Sequence, residues 1–171
     1  MALLITGPPG VGKTTVIRAV ASGLAGARLG GFFTQEMRSR GVRSGFELVT
    51  FDGQRAVMAH VDRRGGPRVG KYGVDASVLE ITARTSLAVS PDIDVYLVDE
   101  IGKMECLSPA FVAAMRALLD TGRPVVATIG ERGGDFIAEV KRRQDVALWQ
   151  LTRDNRDAVP ARILTWLQDH G

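Results

Sequence analysis

The octapeptide Gly7-Pro-Pro-Gly-Val-Gly-Lys-Thr14 constrains this chain more than any other feature. It matches G-x-x-x-x-G-K-[ST] at every fixed position, with the apolar run Ala2-Leu-Leu-Ile-Thr6 before it and a helical pattern after it. A strand, a glycine-rich turn and a helix in that order build a phosphate cradle. Gly7, Gly10 and Gly12 permit backbone angles that side chains forbid, so the amides of the loop, those of Val11 among them and not of Pro8 or Pro9, can turn toward phosphate oxygens. The helix N-terminus adds about half a positive charge at the same place. Lys13 is expected to reach the β- and γ-phosphates of a nucleoside triphosphate. Thr14 is expected to offer its hydroxyl to Mg²⁺, and Thr15 completes the set of nucleotide contacts.

Val95-Tyr-Leu-Val-Asp-Glu100 is an apolar strand that ends in two carboxylates. Open α/β sheets bind ligands at the carboxyl ends of their strands, which is where Asp99 falls. Asp99 is expected to share the Mg²⁺ with Thr14. Glu100 is the candidate for orienting and polarising an attacking water. The bland alternative for both is a strand-terminal acid pair facing solvent.

Around these motifs strands and helices alternate. Helical patterns cover residues 13–24, 108–119, 135–143 and 155–168, the last with Pro160 in its first turns or breaking it; another runs from a cap at Asp75 to about residue 89. Apolar strand runs cover residues 94–99, 125–129 and 146–151. Residues 28–60 differ: three β-rich runs (29–34, 46–51 and 54–60), with Asp52-Gly53 as a hairpin turn, predict a β-meander inserted after the first helix. Residues 62–73 read as a glycine-rich basic loop. The expected fold is a three-layer α/β sandwich, a mostly parallel central sheet with helices on both faces, formed by one domain over residues 1–171. Strand order is not legible in the sequence.

Composition narrows the setting. The chain has 171 residues and a net charge of +3, and its single cysteine, Cys106, excludes an internal disulfide. No apolar run approaches the ~20 residues that span a bilayer, and the first strand begins at Ala2, which leaves no room for a leader. A cytoplasmic, soluble monomer is expected. From Arg38 to Lys71 the chain carries eight basic and three acidic residues. That excess suits phosphate or nucleic acid, or a plain solvated hairpin. The second reading is favoured, because the charged stretches carry no aromatic residue on which a base could stack.

The ordered motifs resemble those of the small nucleoside-triphosphatases of the THEP type. The likeness runs through Gly7-Pro-Pro-Gly-Val-Gly-Lys-Thr-Thr15, Gly31-Phe-Phe-Thr-Gln-Glu-Met-Arg38, Gly45-Phe-Glu-Leu-Val-Thr50 and Val69-Gly-Lys-Tyr-Gly-Val74. It continues through Val98-Asp-Glu-Ile-Gly-Lys-Met-Glu105, Val126-Ala-Thr-Ile129 and Thr152-Arg-Asp-Asn-Arg-Asp157. The resemblance implies a magnesium-dependent, slow and base-tolerant hydrolase with Glu100 as the water-activating residue. It implies Asn155 and Arg156 as contacts near the nucleobase; on their own, these residues equally suit the start of a helix. It also implies Arg132 as a basic residue near the phosphates that neutralises charge in the transition state. Relatives tend to carry proline after the Ala-Thr-Ile strand, where this chain has Gly130, so residues 131–134 are expected to be more mobile.

Two other functions fit the same motifs. A nucleotide or small-molecule kinase would use the basic 38–71 segment as a lid over a second substrate, although Glu100 suits water better than an organic acceptor. A non-catalytic switch would bind the triphosphate without releasing phosphate.

Overall fold

The computed structural model describes residues 1–170; the last residue of the expected domain, Gly171, lies outside the described residues. The chain begins with β1 (Ala2–Thr6) and α1 (Lys13–Gly23), then β2 (Leu29–Ser39), β3 (Val42–Thr50), β4 (Arg55–His60), β5 (Arg68–Val69) and β6 (Tyr72–Val74). There follow α2 (Ala76–Arg84), β7 (Val95–Ile101), a single 3₁₀ turn (Glu105–Leu107), α3 (Pro109–Asp120), β8 (Val125–Ile129), α4 (Asp135–Lys141), β9 (Val146–Gln150) and α5 (Val159–His170).

The strands form one sheet in the order β5-β6-β4-β3-β2-β7-β8-β1-β9. From β2 to β9 neighbouring strands are parallel, and from β2 outward to β5 they are antiparallel. The meander is therefore no separate layer. Its first strand, β2, pairs with β7 over Leu29 to Phe32 and then continues to Ser39 with β3 alone as its partner. At ~3.4 Å per residue, the β2–β3 hairpin extends roughly 20 Å past its last backbone pairing with β7.

Alternation along β1 divides the core. Leu3 and Ile5 pack with Val16, Ile17 and Val20 of α1 and Ile163 of α5, whereas Leu4 faces the cluster of Leu79 in α2, Phe111 and Met115 in α3 and Ile137 in α4. Each such side chain, fully buried, contributes about 1.5–3 kcal/mol. The result is the expected sheet with helices on both faces.

The differences from the sequence reading have local causes. The expected loop at 62–73 contains a β5–β6 hairpin turned at Gly70-Lys71, where Gly70 takes φ +56°, and Tyr72 packs edge-on against Phe46 at 5.1 Å. The second helix stops at Arg84 rather than near residue 89, because tertiary partners take the backbone groups beyond it. Gly31 N–H donates to Ser86 O (2.7 Å), the Tyr96 hydroxyl donates to Ala88 O (2.7 Å), and Ser90 N–H donates to that hydroxyl (2.9 Å). The last helix starts at Val159, not 155. Pro160 has no N–H to give to the carbonyl four residues back, and sits where that lack is harmless, in the first turn. Asp75 and Ser108 act as the expected caps, accepting from the backbone N–H of Ser77 and Phe111.

Candidate active site

Parallel strands β1, β7 and β8 end together, and their last residues meet the loop of residues 7–14. Gly7 lies where β1 passes under Leu151: a Cβ there would stand 2.7 Å from Leu151 O. Gly12, at φ +112°, occupies the position before α1 in a left-handed conformation that favours glycine. Val11 is buried beneath the loop and its N–H donates to Pro8 O at 3.3 Å; Pro8, Pro9, Gly10 and Thr15 are exposed. Lys13 turns back across the loop, its Nζ donating to Gly7 O at 2.8 Å and standing 3.5 Å from Glu100 Oε2.

The two motifs, 85 residues apart, join through one bond: Thr14 Oγ1 donates to Asp99 Oδ2 at 2.5 Å. Asp99 is 2% exposed and receives two further hydroxyls, Thr128 Oγ1 on Oδ1 at 2.7 Å and Thr34 Oγ1 on Oδ2 at 3.3 Å. Sequence reasoning missed Thr34 and Thr128. Each is a polar residue following an apolar run, and Thr128 lies near the carboxyl end of its strand, the edge where ligands gather; that was the available signal. Thr14 keeps its oxygen lone pairs while donating to Asp99, so the cluster presents only oxygen donors, a set that suits a hard divalent cation.

Glu100 is partly buried at the same edge. Burial pushes its pKa up, Lys13 opposes that, and the neighbouring Asp99 adds to it. The Asp99–Glu100 peptide is cis. The β7–β8 register shifts between Val98 and Ile101.

The remaining candidates divide. Arg156 lies against the loop, its Cδ 3.8 Å from the position a Gly12 Cβ would take, and its guanidinium is 3.8 Å from Asp157. Asn155 spends its amide on its own turn: Oδ1 accepts from Thr152 N–H and Nδ2 donates to Gln150 O, both at 2.9 Å. A cavity of about 330 Å³ lies between Pro8 to Val11 on one side and Gln150 to Arg153 on the other. Arg132 is exposed in the loop after β8 and makes no hydrogen bond or ion pair among the described residues. That loop is held by Lys141 Nζ, which donates to Glu131 O at 2.9 Å. Among the described residues no helix is long and apolar enough to cross a membrane.

Comparison with known proteins bears on the family and the fold. The family described as NTPase matches residues 2–164. The nucleoside-triphosphatase THEP1 of Thermotoga sp. (strain RQ2) is 41% identical over 169 residues, which span 98% of this chain and 96% of its own length. The crystal structure of THEP1 from the hyperthermophile Aquifex aeolicus is 32% identical, superposes with a TM-score of 0.81 and covers 98% of this chain and 99% of its own. The solution structure of a human cancer-related nucleoside triphosphatase gives 35% identity and a TM-score of 0.83, over 99% of this chain and 98% of its own.

Proposed function

This chain belongs to the NTPase family and is a nucleoside-triphosphatase, and we propose that it acts as a slow, base-tolerant hydrolase that requires Mg²⁺. In this reading residues 1–171 are one catalytic domain, and the loop of residues 7–15, through its amides other than those of Pro8 and Pro9, holds the triphosphate together with Lys13. Thr14 and Asp99 would hold Mg²⁺, which when bound offsets the negative charge that builds on the phosphate oxygens. Glu100 takes the proton of the attacking water or orients it. The partial burial that raises its pKa makes it a better acceptor than an exposed carboxylate. Arg156, resting on Gly12, is the candidate beside the nucleotide. For Asn155, whose amide is engaged, the fitting role is to shape the turn that lines the neighbouring cavity. Arg132 is assigned no step.

The observation that carries the reading is the Thr14–Asp99 bond with Lys13 and Glu100 beside it. Grip, metal acid and water acid converge at one strand edge. Sites of this kind without a well-placed arginine turn over at roughly 10⁻⁴ to 10⁻² per second. Phosphate release from ATP, GTP, CTP and UTP, measured with and without Mg²⁺ and beside Glu100→Gln, tests the proposal. Release from several triphosphates is expected, lost without metal and reduced about a hundredfold or more in the variant while nucleotide binding persists. Full release without metal or from the variant would refute the assignment.

A further inference from the structure

Glu105 opens the 3₁₀ turn after β7 and is only 4% exposed. Its backbone is fixed on both sides: Cys106 N–H donates to Gly102 O (3.0 Å), and Ser108 N–H donates to Glu105 O (3.1 Å) before Ser108 caps α3. Among the described residues no cation lies within ion-pair distance of its carboxyl group, and no side chain hydrogen-bonds to it. Burial, with the acids Glu100 and Asp99 beside it, outweighs backbone hydrogen bonds from Glu105 and Gly102 that favour the charged form, and pushes its pKa up to about 8. Adjacent Met104 and Cys106 pack against the apolar core. A buried acid with no cation beside it costs stability.

Gly102 shows what the acid faces. A Cβ on Gly102 would stand 2.7 Å from Glu105 Oε2 and 2.9 Å from Glu100 Oε1. The two carboxyl groups thus share the space that the missing side chain leaves open, within reach of one bridging water. The other oxygen of Glu100, Oε2, points to Lys13 at 3.5 Å. The two oxygens of Glu100 are therefore distinguished by their neighbours, Oε1 on the Glu105 side and Oε2 on the side of the phosphate loop.

We propose that Glu105 is a positioning residue: its neutral carboxyl group donates to Glu100 Oε1, directly or through one water, and fixes Glu100 so that Oε2 meets the attacking water. The proton stays on Glu105 throughout and no bond to substrate is made. This rests on Glu100 acting on water, as proposed above.

The test compares Glu105→Gln, which keeps a donor, with Glu105→Leu and Glu105→Met, which keep bulk and remove it. Each is also made in the Glu100→Gln background, with kcat and KM for ATP and GTP and thermal midpoints measured throughout. The apolar variants are expected to lose about tenfold or more in kcat with KM nearly unchanged and midpoints no lower than the parent, and Glu105→Gln to recover most of that rate. In the Glu100→Gln background the apolar variants should cause no further loss, because a residue acting through Glu100 has nothing left to position. Full kcat in the apolar variants, Glu105→Gln as slow as Glu105→Leu, or losses that multiply with Glu100→Gln would each overturn the proposal while leaving Glu100 in its role. A fully active Glu100→Gln protein would overturn both.

Discussion

Replacing Glu105 by Gln should change how stability depends on pH, and the size of the change follows from the burial of this one group. An ordinary glutamic acid titrates at 4.5; in the folded protein burial, assisted by Glu100 and Asp99, pushes Glu105 up to about 8. Between these values the folded protein holds a proton that the unfolded chain has released. The folded state binds more protons, so stability falls as pH rises. The penalty is absent below the unfolded pKa, grows by about 1.4 kcal/mol per pH unit, and saturates above the folded pKa. From near pH 5 to near pH 7 the parent should lose on the order of 3 kcal/mol relative to Glu105→Gln, which has no proton to hold. With an m-value of about 2 kcal/mol/M this is a relative shift of more than about 1 M in urea midpoint. Urea unfolding of nucleotide-free protein at three pH values, with equal m-values for both proteins, measures it. Parallel midpoints across that range would refute the reasoning, because they would mean that Glu105 titrates alike in the folded and unfolded chain.

Two further outcomes are expected. Thr128→Val removes a fully buried hydroxyl from Asp99 Oδ1 and should destabilise the protein by about 2 kcal/mol; an unchanged urea midpoint would show that the bond contributes nothing. Gly31→Ala places a Cβ 2.0 Å from Leu97 O at φ +94° and should cost more than about 4 kcal/mol; normal yield and midpoint would mean that β2 and β7 do not approach as closely as described.

Local signals made much of this legible. The loop of residues 7–14 stands between β1 and α1, Ser108 and Asp75 cap helices, and β8 runs over Val125–Ile129, because glycines, caps and apolar runs decide those boundaries over a few residues. The Thr14–Asp99 meeting was foreseeable from two motifs expected to share a metal. What the sequence withheld depends on distant partners. The second helix ends early because Gly31 and Tyr96 claim backbone groups beyond Arg84. Strand order depends on pairing between residues far apart. Thr34 and Thr128 follow apolar runs, but which acid they face is set by strand pairing far along the chain. Glu105 was visible within the Asp-Glu-Ile-Gly-Lys-Met-Glu run, but its burial and its closeness to Glu100 are properties of the turn and of the absent side chain at Gly102.

The basic meander looks like the obvious source of charge for the phosphates, yet its arginines are mostly engaged elsewhere. Arg38 and Arg43 both pair with Glu36, Arg55 with Glu47, and Arg63 with Asp75. Exposed pairs of this kind are worth about 0–1 kcal/mol each, enough to shape a hairpin but little more. At the root of the same hairpin, Thr34 donates to Asp99, and β2 carries it there as a strand shared by the parallel core and the meander. Asp99 thereby gathers hydroxyls from α1, β2 and β8, whereas Glu105, equally buried, has none. In the proposed reading two acids of the same short motif thus serve opposite ends, Asp99 accepting several donors and a cation and Glu105 holding its proton. The contact between the meander and Asp99 runs through a hydroxyl at its base rather than through the arginines nearer its tip.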